Sequence, residues 1–297
     1  MGGAIEMTKR NGTFVLGLGA QKAGSSWLHA QLNYRRDAEF GFLKEYHIHD
    51  ALTLPEAGFS NRRQRSLIKP RTWRRQRFIA QPQRYYDYFA SLLRRPGIQL
   101  TGDITPSYSG LTPTTLRTIQ TCFAQREIPI RPIFLMRDPI ERIISYQRMQ
   151  LRKQNQLNRE TEVKALRQLC IERPVRVTLR SDYGHTLMAL TQVFEPSECF
   201  IDLYERLFTP ESWQRLCDVL NVPYEKPNWE QQVNVSRTDT SIPDEVLAEL
   251  GDWQTPTLTA VRQHIPTEAI HPHVSPVGGV AMPFRRIHIT HVGNRRP

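Results

Sequence analysis

Residues 14–34 read FVLGLGAQKAGSSWLHAQLNY, and no other stretch of the chain constrains its fold as strongly. The run at 14–18 is short, apolar and β-prone, the pattern of a strand buried in a parallel sheet. The chain then crosses Gly17, Gly19 and Gly24, with Lys22 among them, and arrives at Ser25, Ser26 and Trp27. Leu28 and Leu32 follow four apart, on one face of a helix. Strand, glycine-rich turn, cation, hydroxyls and helix together make a phosphate cradle. Glycines let backbone N–H groups approach an anion, and a helix N-terminus offers unsatisfied donors at the positive end of its dipole. The residue order sets this cradle apart from two common ones. A nucleoside-triphosphate loop, GxxxxGK[ST], has Lys directly after its last Gly, whereas here Lys22 precedes Gly24. A GxGxxG fingerprint fails because Lys22 stands where the third Gly belongs. Taken alone, the stretch also admits a glycine-rich βα turn that binds nothing.

The chain has 297 residues, long enough for one large α/β domain with insertions rather than two domains. Its net charge of +11 and pI of about 9.8 favour anionic ligands without choosing among nucleotides, phosphates, acidic glycans and nucleic acid. No apolar run approaches the ~20 residues of a membrane span. The opening MGGAIEMTKRNG lacks a signal-peptide core, and Glu6 stands where a myristoylation site wants Ser or Thr, so a cytoplasmic protein is expected. Cys122, Cys170, Cys199 and Cys217 are widely spaced, which predicts buried thiols and neither a disulfide framework nor a metal site. The expected division is an extension at 1–12, a domain at 13–263 with a basic insertion at about 55–80, and a Pro-, Gly-, His- and Arg-rich tail at 264–297.

Further strands are predicted at 38–43, 98–101, 130–136 and 199–204, giving an α/β fold with a P-loop-like parallel sheet of about five strands flanked by helices. Polar residues crowd the strand ends, where α/β sheets bind ligands. After 38–43 come Lys44, Glu45, Tyr46, His47, Ile48, His49 and Asp50, a place for acid–base chemistry or a solvated loop. After 98–101 come Asp103, Thr105 and Ser107. After 130–136 come Arg137, Asp138 and Pro139, with Asp138 a good N-cap and Pro139 a good first helical residue. With Ser145 further along that helix, Arg137 makes a second anion site. Residues 62–78 carry eight basic side chains and no acidic one, with Trp73 and Phe78 interleaved. That segment fits an anionic acceptor, nucleic acid or an exposed arginine-rich face.

Together these motifs resemble the sulfotransferases that use 3′-phosphoadenosine 5′-phosphosulfate (PAPS). QKAGSSWL is similar to the family's 5′-phosphosulfate loop and RDPIERIISY to its 3′-phosphate motif. KEYHIHD and GDITPSYS resemble segments of the heparan sulfate (glucosaminyl) branch, and the likeness to a bacterial-type member runs patchily over about residues 13–250. Gln21 and Ala23 depart from the commoner loop, Ile104 replaces a Lys frequent in that branch, and NVSRTD only partly matches the branch's later donor loop.

The resemblance implies a sulfotransferase fold and roles for individual residues. Lys22, the N–H groups of Ala23, Gly24, Ser25, Ser26 and Trp27 and the two serine hydroxyls would bind the 5′-phosphate. Arg137, Ser145 and Arg237 would bind the 3′-phosphate. Glu45 would be the general base, with His47 and Asp50 orienting it, Lys44 biasing it or touching the sulfuryl group, and Asp103 the second candidate base. The acceptor would be a small molecule or glycan, anionic if residues 62–78 serve it, and no metal would be required. Two other classes stay open: a P-loop kinase, against which the position of Lys22 argues, and a non-catalytic basic protein, for which no nucleic-acid motif is present.

Overall fold

A computed structural model describes residues 12–55, 70–231 and 241–264. The apolar run becomes β1 (Thr13–Gly19), buried along its whole length at the inside of the sheet. β2 (Leu100–Ile104), β3 (Ile130–Met136) and β4 (Phe200–Leu203) join it in the order β2-β1-β3-β4, all parallel. Pro132 stands in β3 opposite Leu16, one residue before β4 begins to pair at Ile133, so its missing N–H costs no ladder bond there. At Gly17 the strand comes so close to β2 that a Cβ would lie 2.7 Å from Ile104 Cγ2.

The described sheet thus has four strands where five were expected, and the missing one is 38–43. Only Ala38 makes a bridge, to Leu100. Beyond it the Tyr46 hydroxyl takes over the backbone: it donates to Phe40 O at 3.0 Å and accepts from Phe42 N at 3.2 Å. Gly41, at φ 78°, turns the chain away from the sheet edge.

The helices in chain order are α1 (Ser25–Tyr34), α2 (His49–Thr53), α3 (Pro70–Ala80), α4 (Gln83–Leu93), α5 (Pro113–Ala124), α6 (Pro139–Lys153), α7 (Arg159–Glu172), α8 (Val175–Thr178), α9 (Tyr183–Thr191), α10 (Pro210–Leu220) and α11 (Asp244–His264). The period-3.6 apolar spacing of α4 brings Tyr85 and Phe89 onto β1, where Phe14 meets Phe89 at 4.9 Å edge-on and stacks on Phe123 of α5 at 4.0 Å. Each such buried ring contributes about 1.5–3 kcal/mol by area. A second apolar cluster joins Ile140, Ile143 and Ile144 of α6 to Leu166 and Leu169 of α7 and Val246, Leu250 and Trp253 of α11. α11 runs on through Pro256, because Leu258 and Val261 are buried against the main core. Among the described residues no helix is long and apolar enough to cross a membrane.

In this order β2 lies on one side of β1 and β3 on the other. The chain reverses direction across the sheet at β1, and the crevice at its C-terminal end is where such sheets bind ligands. The cradle after β1, the 44–50 loop resting on the end of β2 and Arg137 after β3 all collect there.

Candidate active site

β1 delivers the chain into a tight turn in which Lys22 (φ 69°) and Gly24 (φ 79°) are left-handed. A Cβ on Gly24 would lie 3.0 Å from the Tyr204 ring, so the position takes a bare backbone. Gly24 is the N-cap of α1, and no side chain caps that helix, which leaves the N–H groups of Ser25, Ser26 and Trp27 for an external acceptor. The N–H of Ala23, expected among the phosphate donors, closes the turn instead by donating to Ala20 O at 3.2 Å. The indole of Trp27 is core, packed on Phe208, Trp213 and Trp229 at 4.9–5.9 Å, so only its backbone faces the cradle. Burial lowers the Lys22 pKa from its ordinary 10.5, helped by Arg137, Arg152, Lys153 and Lys44. Among the described residues no carboxylate pairs with Lys22.

The second anion site adjoins the first. Asp138 caps α6 as expected, its Oδ1 accepting from Ile140 N at 2.8 Å and Glu141 N at 3.1 Å, with Pro139 in the first turn. This fixes Arg137 at the mouth of β3. Its Nη1 donates to Lys22 O at 3.2 Å, its Nη2 reaches Glu141 at 3.4 Å, and its guanidinium lies over the Tyr204 ring at 5.3 Å. Tyr183 from α9 donates to the Arg137 carbonyl at 2.9 Å and steadies it. Ser145 is buried on α6. Arg237 lies outside the described residues, as do the 1–11 and 265–297 ends and residues 62–69 of the basic segment.

Loop 44–50 sits over the end of β2. Tyr46 N donates to Thr105 Oγ1 at 3.1 Å and Ile48 N to the Tyr108 hydroxyl at 3.1 Å. On this support a charge relay runs in one line. Lys44 Nζ donates to Ser26 Oγ at 2.6 Å and to Glu45 Oε1 at 2.9 Å. Glu45 Oε2 meets His47 Nε2 at 3.2 Å, and His47 Nδ1 meets Asp50 Oδ2 at 2.6 Å. Ser107 Oγ donates to the same Asp50 oxygen at 2.5 Å. Burial alone would raise the Glu45 pKa, but the hydrogen bond from His47 and the charge of Lys44 outweigh it and hold the carboxyl at about 2. Burial likewise opposes the charged form of His47, yet Asp50 and Glu45 on either side lift it to about 9. His47 is thus an imidazolium between two carboxylates at neutral pH.

Asp103, the second candidate base, does not belong to this relay. It is fully buried, and Thr105 Oγ1 (2.6 Å), Tyr108 (2.8 Å) and Tyr85 (3.0 Å) all donate to it. Burial raises its pKa to about 6. It anchors the ring cluster beneath loop 44–50 and has no path to an acceptor.

Sequence reasoning passed over two arginines. Arg180, buried before α9, donates to Gln21 Oε1 of the cradle loop at 3.1 Å. Burial, then Arg176 and Arg142, bring its pKa down to about 10, and the Glu45 charge also acts on it. Arg75 belonged to the basic segment, but its neighbours in space, described below, are 28 and 29 residues away in sequence. No local pattern marks either one.

No family model and no curated protein matches the chain. Among solved structures it is similar to the sulfotransferase from Alicyclobacillus acidocaldarius, with a TM-score of 0.56 over 88% of this chain and 99% of that one at 14% identity. It also matches the sulfotransferase domain from the curacin biosynthetic pathway, with a TM-score of 0.46 over 85% of this chain and 96% of that one at 17% identity. The first likeness shows a shared fold.

Proposed function

We propose that the protein is a PAPS-dependent sulfotransferase that moves a sulfuryl group to a hydroxyl or amine of a small-molecule or glycan acceptor, with Glu45 as general base. The observation that carries this reading is the position of Lys44. One ammonium reaches the cradle at Ser26 (2.6 Å) and the carboxylate at Glu45 (2.9 Å), so a base stands beside an anion site. The cradle fits a phosphate-bearing donor because cations gather at Lys22 with no carboxylate among the described residues to pair with it, and the first turn of α1 is uncapped.

When bound, PAPS supplies a sulfuryl group on an anhydride whose leaving oxygen belongs to a phosphate. Lys22 and the N–H groups of Ser25, Ser26 and Trp27 hold that phosphate and meet the charge that grows on it. Arg137 and Ser145 would hold the 3′-phosphate, with Arg237 a further candidate for it, and binding energy spent there would serve to position the donor. Glu45 takes the acceptor's proton. Each of its oxygens already accepts one hydrogen bond and keeps a second lone pair for that proton. A carboxylate held at about 2 is a weak base, and Lys44 offers the remedy. Lys44 is shared between Ser26 and Glu45, so an anion held in the cradle would compete for its ammonium and raise the proton affinity of Glu45.

Calorimetric titration with 3′-phosphoadenosine 5′-phosphate, without added Mg²⁺ and beside ATP, tests the reading. Binding that requires Lys22 and discriminates against ATP is expected. Preference for ATP with Mg²⁺, or no binding to either, would sink it.

A further inference from the structure

Among the described arginines of the basic segment, one does not face solvent. Arg75 on α3 is buried, with Nε donating to Tyr46 O at 2.6 Å and Nη2 to His47 O at 2.5 Å. These are consecutive carbonyls of the loop that bears Glu45 and His47. We propose that Arg75 is a positioning residue of the site, holding loop 44–48 in the conformation that puts His47 between Glu45 and Asp50.

Three observations support the assignment. His47 is left-handed at φ 52°, a conformation that a side-chain-bearing residue keeps only when its surroundings impose it. The loop is gripped from two sides: its N–H groups at Tyr46 and Ile48 go to Thr105 and Tyr108, and its carbonyls at Tyr46 and His47 go to Arg75. The guanidinium fork suits that task, since it donates along two fixed directions and keeps its charge at every working pH. α3 is itself fixed in register. Phe78 is buried against Tyr46 and Tyr88 at 6.4 and 5.5 Å, and Arg74 stacks over Tyr88 at 4.4 Å. A shift of α3 is therefore passed to the loop through Arg75.

The test uses the full chain with Arg75→Gln and Arg75→Lys, and follows the His47 ring by NMR titration, with His47→Asn to assign the signal. The polar and charged groups facing His47 include Glu45, Asp50, Ser107, Thr105 and Arg75. If Arg75 sets the geometry, the His47 midpoint falls from about 9 toward the ordinary 6.5 in Arg75→Gln. Loss of a nearby positive charge alone would move it upward. Arg75→Lys keeps the charge but not the fork, so a fall there too assigns the effect to geometry. A merely structural Arg75 would lower the melting temperature and leave the midpoint in place. A midpoint unchanged in both variants, or raised in Arg75→Gln, overturns the assignment. A second arm rests on the sulfotransferase reading: kcat falls about a hundredfold, while KM for PAPS stays within about twofold. If the chain proves not to be a sulfotransferase, the NMR arm still decides the role of Arg75.

Discussion

Around Glu45 every charge has an opposite within hydrogen-bond distance: Lys44 on one oxygen, His47 on the other, and Asp50 behind His47. Around Lys22 the acting charges are Arg137, Arg152, Lys153 and Lys44, all positive. The first region is a finished network whose pKa values are set by the protein itself. The second centres on an ammonium that no carboxylate pairs with among the described residues, in a field of positive charge that suits an incoming anion. Under the proposed function the difference divides the work: the paired side would hold a reacting group in place, and the side around Lys22 would draw the donor in.

The sharpest break of this comparison is Glu45→Gln, expected to lower kcat about a thousandfold while leaving the affinity for 3′-phosphoadenosine 5′-phosphate within about twofold. Loss of both together would mean the two regions are one. Next is the stability held by His47. A pKa lifted from 6.5 to about 9 contributes stability that is full below 6.5 and lost as pH rises through about 9. Urea unfolding at pH 6 and pH 10 is expected to show about 3 kcal/mol more loss in the parent than in His47→Asn. Lys22→Ala follows, weakening the nucleotide about thirtyfold by calorimetry, with an effect that shrinks as salt is raised. Ser26→Ala has the smallest effect, about fivefold on the same affinity, because it removes one neutral hydroxyl where backbone donors remain.

What the sequence disclosed followed local rules. The β1 run, the cradle glycines, the Asp138–Pro139 cap and the full extent of β3 depend on neighbours a few residues away, and the structure has them as read. The likeness in fold to a known sulfotransferase agrees with the motif order. The failures share another cause. The 38–43 strand was lost to the Tyr46 hydroxyl and to Gly41, Asp103 was taken from the site by Tyr85 and Tyr108, and the Ala23 N–H was turned inward to Ala20 O. Each was decided by a specific contact that no propensity or period marks, whether the partner stands 4 residues away, as Tyr46 does from Phe42, or 18, as Tyr85 does from Asp103. Arg75 is the same lesson reversed: among many arginines, only the fold shows which one grips the loop.

The sheet order carries a consequence for biogenesis. β1 leaves the ribosome before either of its neighbours, yet it is bonded to β2 at 100–104 and to β3 at 130–136. At typical elongation rates its most apolar stretch waits roughly 10 s for both flanks to be synthesised. Until then neither the cradle nor its Arg137 wall exists. The nascent chain thus presents an unpaired hydrophobic strand well before it can be rescued by nucleotide, and recombinant yield should respond to chaperone supply and slower growth temperature more than to added ligand.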